Sequence, residues 1–150
     1  MSDDLNKPTF KGIRVMDLND QSLASSQEEK IKYIETRDES VLKFAEGIEP
    51  TWYYFKPLTY KEVIEFMEDG TKSVNLKAIE VFSRTFVGVS RGNGPIKSVE
   101  KLQEENPDFT GPDGMANLIV ATIGFDSLVT IGHMAFNMNS LGKKNKPSLV

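Results

Sequence analysis

Hydrophobic and polar positions change period most clearly between Glu49 and Met67. Thr51 to Phe55 contains the unbroken run Trp52-Tyr53-Tyr54-Phe55, bracketed by Pro50 and Pro57. Bulky rings suit a pleated surface and proline cannot donate to a ladder, so this run predicts one short strand ending before Pro57. Beyond it the spacing turns helical, with Tyr60, Val63, Ile64 and Met67 at i, i+3, i+4 and i+7. Thr59 and Glu62 open that stripe at the spacing of a capping box, in which each side chain takes the other's orphan backbone N–H. Leu58 and Val63 flank the cap as a hydrophobic staple. Strand and helix are expected to share one core, with Trp52, Leu58, Thr59, Glu62 and Val63 as its structural residues.

Elsewhere the pattern is less sharply marked. Residues 1–27 hold few large apolar groups and several turn formers, and predict a flexible arm. Within it, Phe10 to Met16 alternates without a clean apolar face, leaving a docked edge strand and a loose segment both open. From Glu28 to Glu49 the periods are mixed; two short strands compete with a helix from Ser40 to Gly47. Asn75 is placed to cap a helix carrying Ile79, Phe82, Phe86 and Val89 on one face and Ala78, Val81, Thr85 and Gly88 on the next. Arg91-Gly92-Asn93-Gly94-Pro95 reads as its stop. A short charged helix over Ile96 to Glu105, with Val99 and Leu102 inward, and a loop from Asn106 to Gly114 follow.

Met115 to Met138 is the most apolar stretch, with Asp126 its single formally charged residue. Repeated polar interruptions exclude a membrane span, which needs about 20 consecutive apolar residues. Two helices broken near Gly124-Phe125-Asp126, with Asp126 capping the second, fit better. Apolar residues on more than one face imply burial or a partner, and Phe125, Leu128, Ile131, Phe136 and Met138 are the candidate partner-binding residues. The reading is an α+β, mainly α-helical fold: short N-terminal strands or a hairpin, then four to five helices. Residues 28–141 form the single globular domain, and 142–150 a basic flexible tail.

Composition narrows the function classes. A chain of 150 residues suits one core, burying roughly 70% of the surface its unfolded form exposes. A formal net charge of -4 argues against counterion-replacing binding to nucleic acid or an anionic membrane. With no cysteine there is neither a disulfide nor a thiolate zinc site, and the opening residues carry no secretory signal, so a cytoplasmic location is expected. His133, the single histidine, falls in the apolar C-terminal region without a nucleophile motif and reads as a packed or partly exposed imidazole, not a general base. Arg91-Gly92-Asn93-Gly94 lacks the Lys-Ser/Thr and the preceding strand of a phosphate loop. Adjacent carboxylates such as Asp38 and Glu39 point apart and mark solvated surface. No spacing suggests a metal, and no catalytic residue or cofactor is expected.

A resemblance supplies what residue types alone do not. Gly47-Ile48-Glu49-Pro50-Thr51-Trp52-Tyr53-Tyr54-Phe55-Lys56-Pro57-Leu58-Thr59-Tyr60-Lys61-Glu62 resembles the opening of tailed-phage tail assembly chaperones. In that family an aromatic or aliphatic strand leads into Pro-Leu-Thr/Ser and an acidic helix. Ala78 to Val89 is similar to their central helix, and Asn139 to Asn145 to their C-termini; the likeness spans residues 28–146. It departs in the long amino-terminal arm and in having Gly111-Pro112 where a Leu-Pro element is expected. The resemblance implies a non-enzymatic protein of the host cytoplasm that binds the tape-measure protein, with homo-oligomerisation open and neither nucleic acid nor membrane as partner. It also implies a longer product, made by ribosomal slippage over codons for Gly142-Lys143-Lys144-Asn145. A structural virion component, such as a tail or head–tail connector protein, is the alternative.

Overall fold

The computed structural model describes residues 12–140. Residues 1–11 of the expected arm and the expected basic tail lie outside the described residues. Within them the fold is α+β and mainly helical, with six α-helices and one antiparallel sheet of four strands. The order is β1 (Ile13–Met16), α1 (Gln27–Thr36), a 3-10 turn (Glu39–Val41), β2 (Thr51–Phe55), α2 (Tyr60–Glu68) and α3 (Val74–Thr85). Then come β3 (Phe86–Arg91), β4 (Lys97–Ser98), α4 (Val99–Glu105), α5 (Gly114–Ile123) and α6 (Phe125–Ser140). In the sheet the strands lie in the order β1-β2-β3-β4, so the aromatic run forms an inner strand.

An inner strand needs both faces covered, and Trp52, Tyr53, Tyr54 and Phe55 are all buried. Phe55 meets Phe82 of α3 edge-on at 5.3 Å, and Phe82 stacks on Phe86 at 4.7 Å. Fully burying each of these rings contributes on the order of 2 kcal/mol. Across the strand, Phe44 meets the Trp52 ring edge-on at 6.4 Å and the Arg14 guanidinium lies 3.7 Å over it. Arg14 also makes a two-pronged bond to Glu39, at 2.9 and 2.7 Å, which raises its pKa further. That pair is about one-third exposed, so it orients the segment after α1 more than it stabilises the fold. The Tyr54 hydroxyl and Ser90 Oγ share a buried hydrogen bond of 2.9 Å.

Several expectations are corrected. Of the two readings left open for the end of the Phe10–Met16 stretch, the docked edge strand forms, so the expected flexible arm is folded there: β1 pairs antiparallel with β2, Met16 opposite Trp52, and Val15 and Met16 are fully buried. Large residues were sparse there, but two of them enter the core. Between 28 and 49 neither two strands nor a Ser40–Gly47 helix forms. Instead Ser26 and Glu29 build a capping box for α1, and Arg37 in the left-handed region ends that helix. The long helix expected from Asn75 to Val89 stops at Thr85, and Phe86 to Arg91 is a strand whose alternate residues Phe86, Gly88 and Ser90 are buried. Ser73 caps α3, its side chain accepting from the Leu76 N–H at 3.1 Å. Arg91 to Gly94 is a turn between β3 and β4, closed by Gly94 N–H to Arg91 C=O at 2.9 Å. Ser98 caps α4, shorter than the helix expected from Ile96. Asp126 stands exposed in the first turn of α6, where its charge suits the helix dipole, not at the cap. The break itself lies at Gly124, whose φ of 99° a side chain would disfavour.

Candidate docking surface

The α2 start forms as its residues specify. The Thr59 side chain accepts from the Glu62 N–H at 3.1 Å, and the Glu62 carboxylate accepts from the Thr59 N–H at 2.9 Å. That N–H, with Arg84 nearby, holds the Glu62 carboxyl below the usual range. Leu58 is buried and Val63 is packed against the core, as the staple requires. What anchors the helix, however, is Phe66, outside the expected stripe. It is buried, edge-on to Phe136 of α6 at 6.1 Å, with the Arg84 guanidinium 5.1 Å over its ring.

Apart from Val63, the stripe faces outward. Tyr60 is 83% exposed and Met67 65%, with Ile64 also exposed. At 100° per residue, Phe66, Val63, Met67, Tyr60 and Ile64 fill a continuous apolar arc, and the core covers only its Phe66–Val63 side. The uncovered side leads into a groove of about 260 Å³ between α2, α3 and α6. Phe66, Met67, Val74, Val81 and Phe136 form its apolar walls, and Lys77, His133 and Asn137 its polar groups. Val74, at the first turn of α3, is 65% exposed at its rim. Val74, Lys77, Ala78 and Val81 reach the groove together because they stand at i, i+3, i+4 and i+7. Partial burial lowers the His133 pKa, so the imidazole is neutral at pH 7.

The groove depends on a close crossing of α3 and α6. A Cβ at Gly132 would stand 2.3 Å from the Ala78 carbonyl oxygen, so only glycine lets the two backbones approach this closely. On the other side of α3, Leu76, Ile79 and Ser83 line a wider cleft against α5 and α6. The Ser83 hydroxyl is buried there and has no hydrogen-bond partner among the described residues.

The five candidate partner-binding residues are not brought together. Phe125 is exposed at the mouth of the wider cleft, and Leu128 lies buried at its floor. Ile131 is fully buried in the core, Phe136 lines the groove, and Met138 packs against the core, partly buried. α6 is apolar on several faces because it is packed by α3, α5 and β1, so most of its apolar excess is spent inside the protein. Tyr60, Ile64, Met67 and Val74 form the apolar surface that sequence reasoning assigned to the core or passed over. The signal was present in the width of the α2 arc, which exceeds what one line of packing covers. Among the described residues no cluster of three or more His, Asp or Glu could hold a metal ion, and no helix is long and apolar enough to cross a membrane. Comparison with known proteins gives no matching family model, no matching curated protein and no matching solved structure.

Proposed function

We propose that this protein is a non-enzymatic assembly chaperone of a tailed phage, and that it shields an apolar segment of the tape-measure protein in the host cytoplasm until the tail tube forms. The observation that carries this reading is the uncovered side of the α2 arc, Tyr60, Ile64 and Met67, beside a preformed groove with Val74 exposed at its rim. Single exposed apolar side chains are ordinary, whereas an apolar helix face continuous with an apolar groove is the form of a protein-binding surface. The likeness of the Gly47–Glu62 segment to tail assembly chaperones names the class of partner. Co-expression with the tape-measure protein of the same genome tests it. The two proteins are expected to co-purify, and Ile64→Ser/Met67→Ser is expected to abolish capture while leaving the melting temperature within 1–2 °C of the parent, because exposed positions contribute little to folding (on the order of 0.5 kcal/mol). Undiminished capture by that variant would remove the surface from the reading. Stoichiometric presence of the protein in purified particles would favour a structural virion component instead.

A further inference from the structure

The groove holds a charge without an equal partner. Lys77 projects from the same face of α3 as Val74 and Val81 and lines the groove. One carboxyl that feels it is Asp69, which lies below its usual range first because of its hydrogen bonds to Thr71, with Lys72 and Lys77 adding to the effect. Asp69 accepts from the Thr71 N–H at 2.8 Å and stands 3.9 Å from the Lys72 ammonium, while Lys72 itself turns to Glu80 at 2.7 Å. Among the described residues Lys77 enters no ion pair with any carboxylate. His133 and Asn137 are the other polar groups in the groove, and the neutral imidazole leaves Lys77 as its cation.

The form of the occupant follows from the walls. Three helices bound the groove, so no strand edge offers its N–H and C=O groups to an extended guest. A guest lying on apolar side chains must satisfy its own backbone, which a helix does. α2 lines the groove with Phe66 and Met67, and from Met67 the exposed residues Ile64 and Tyr60 extend the apolar face about 10 Å along the helix, the length of two turns of a guest helix. Covering this surface with a guest also removes water from Lys77, which is costly unless the guest supplies an opposite charge.

We infer that the α2–α3–α6 groove takes an amphipathic helix whose apolar stripe is flanked by a carboxylate seated against Lys77. The inference rests on the docking reading above and adds the chemistry of the guest. It is tested on the full chain with synthetic helical peptides of roughly 18 residues that carry leucines at i, i+3, i+4 and i+7. One position beside the stripe is Glu, Gln or Lys. The Glu peptide is expected to bind about threefold more tightly than the Gln peptide and about tenfold more tightly than the Lys peptide at low salt. Lys77→Ala, checked for an unchanged circular dichroism spectrum, is expected to level the three affinities, and Lys77→Glu to reverse their order. Equal affinities in the parent protein, with all three peptides still weakened by Met67→Ser, would overturn the acidic guest and leave the docking reading standing. A preference for Glu that survives Lys77→Ala would overturn it too, since the carboxylate would then sit elsewhere. If no peptide binds while the tape-measure protein is still captured, the helical guest is overturned and the docking reading stands.

Discussion

At the scale of single residues, Thr59 and His133 respond to their surroundings in ways that can be measured separately. Thr59→Ala removes the acceptor for the Glu62 N–H and is expected to cost about 1 kcal/mol. A denaturation midpoint unchanged from the parent would show that α2 does not rely on this cap. His133 has its pKa lowered by burial, so the unfolded chain binds the proton more readily than the folded one. Its unfavourable contribution is absent above the ordinary histidine pKa near 6.5 and grows as pH falls through that value toward the lower folded one. Between pH 7.5 and 5.5 the melting temperature is therefore expected to fall, and His133→Gln to lose less over the same interval. Equal falls in the two proteins would place the pH sensitivity on other groups.

At the scale of elements, the α3–α6 crossing is the most demanding contact. Gly132→Ala forces a Cβ against the Ala78 carbonyl and is expected to cost about 1–3 kcal/mol by overpacking. A variant as stable as the parent would show that the helices can part at no expense. Elements specified by neighbouring residues were legible in the sequence. The Thr59–Glu62 box, the proline-bracketed strand and the Gly124 break each need only a few adjacent side chains. Elements specified by distant partners were not. Phe86 to Arg91 carries apolar residues that fit a helical face, and only pairing with β2 selects the two-residue period in which Phe86, Gly88 and Ser90 turn inward. The same limit applies to the docking surface. Tyr60 and Phe66 both lie in the α2 apolar arc, and which of them is buried depends on where Phe136 and Arg84 arrive from the rest of the chain.

At the scale of the whole molecule, β1 is part of the folded unit. Val15 and Met16 are fully buried and Arg14 lies over Trp52, so a chain starting at Leu18 exposes one side of β2 and loses two core residues. Such a truncation is expected to unfold the protein, read as loss of protease resistance and of the cooperative thermal transition; retention of both would return residues 13–17 to the status of an arm. One further consequence comes from the join between α3 and β3, where Thr85 ends the helix and Phe86 starts the strand with no residue between them. The Thr85 C=O accepts from the Lys56 N–H at 2.8 Å, and its hydroxyl donates to the Val81 C=O at 2.6 Å. One wall of the groove is thus the direct continuation of an inner strand, tied at the joint to the residue that follows β2. A wall fixed in this way adjusts less on binding, so more of the entropy lost on association falls on the visiting chain. Sequences that are already helical in solution would then be favoured over those that must coil on arrival.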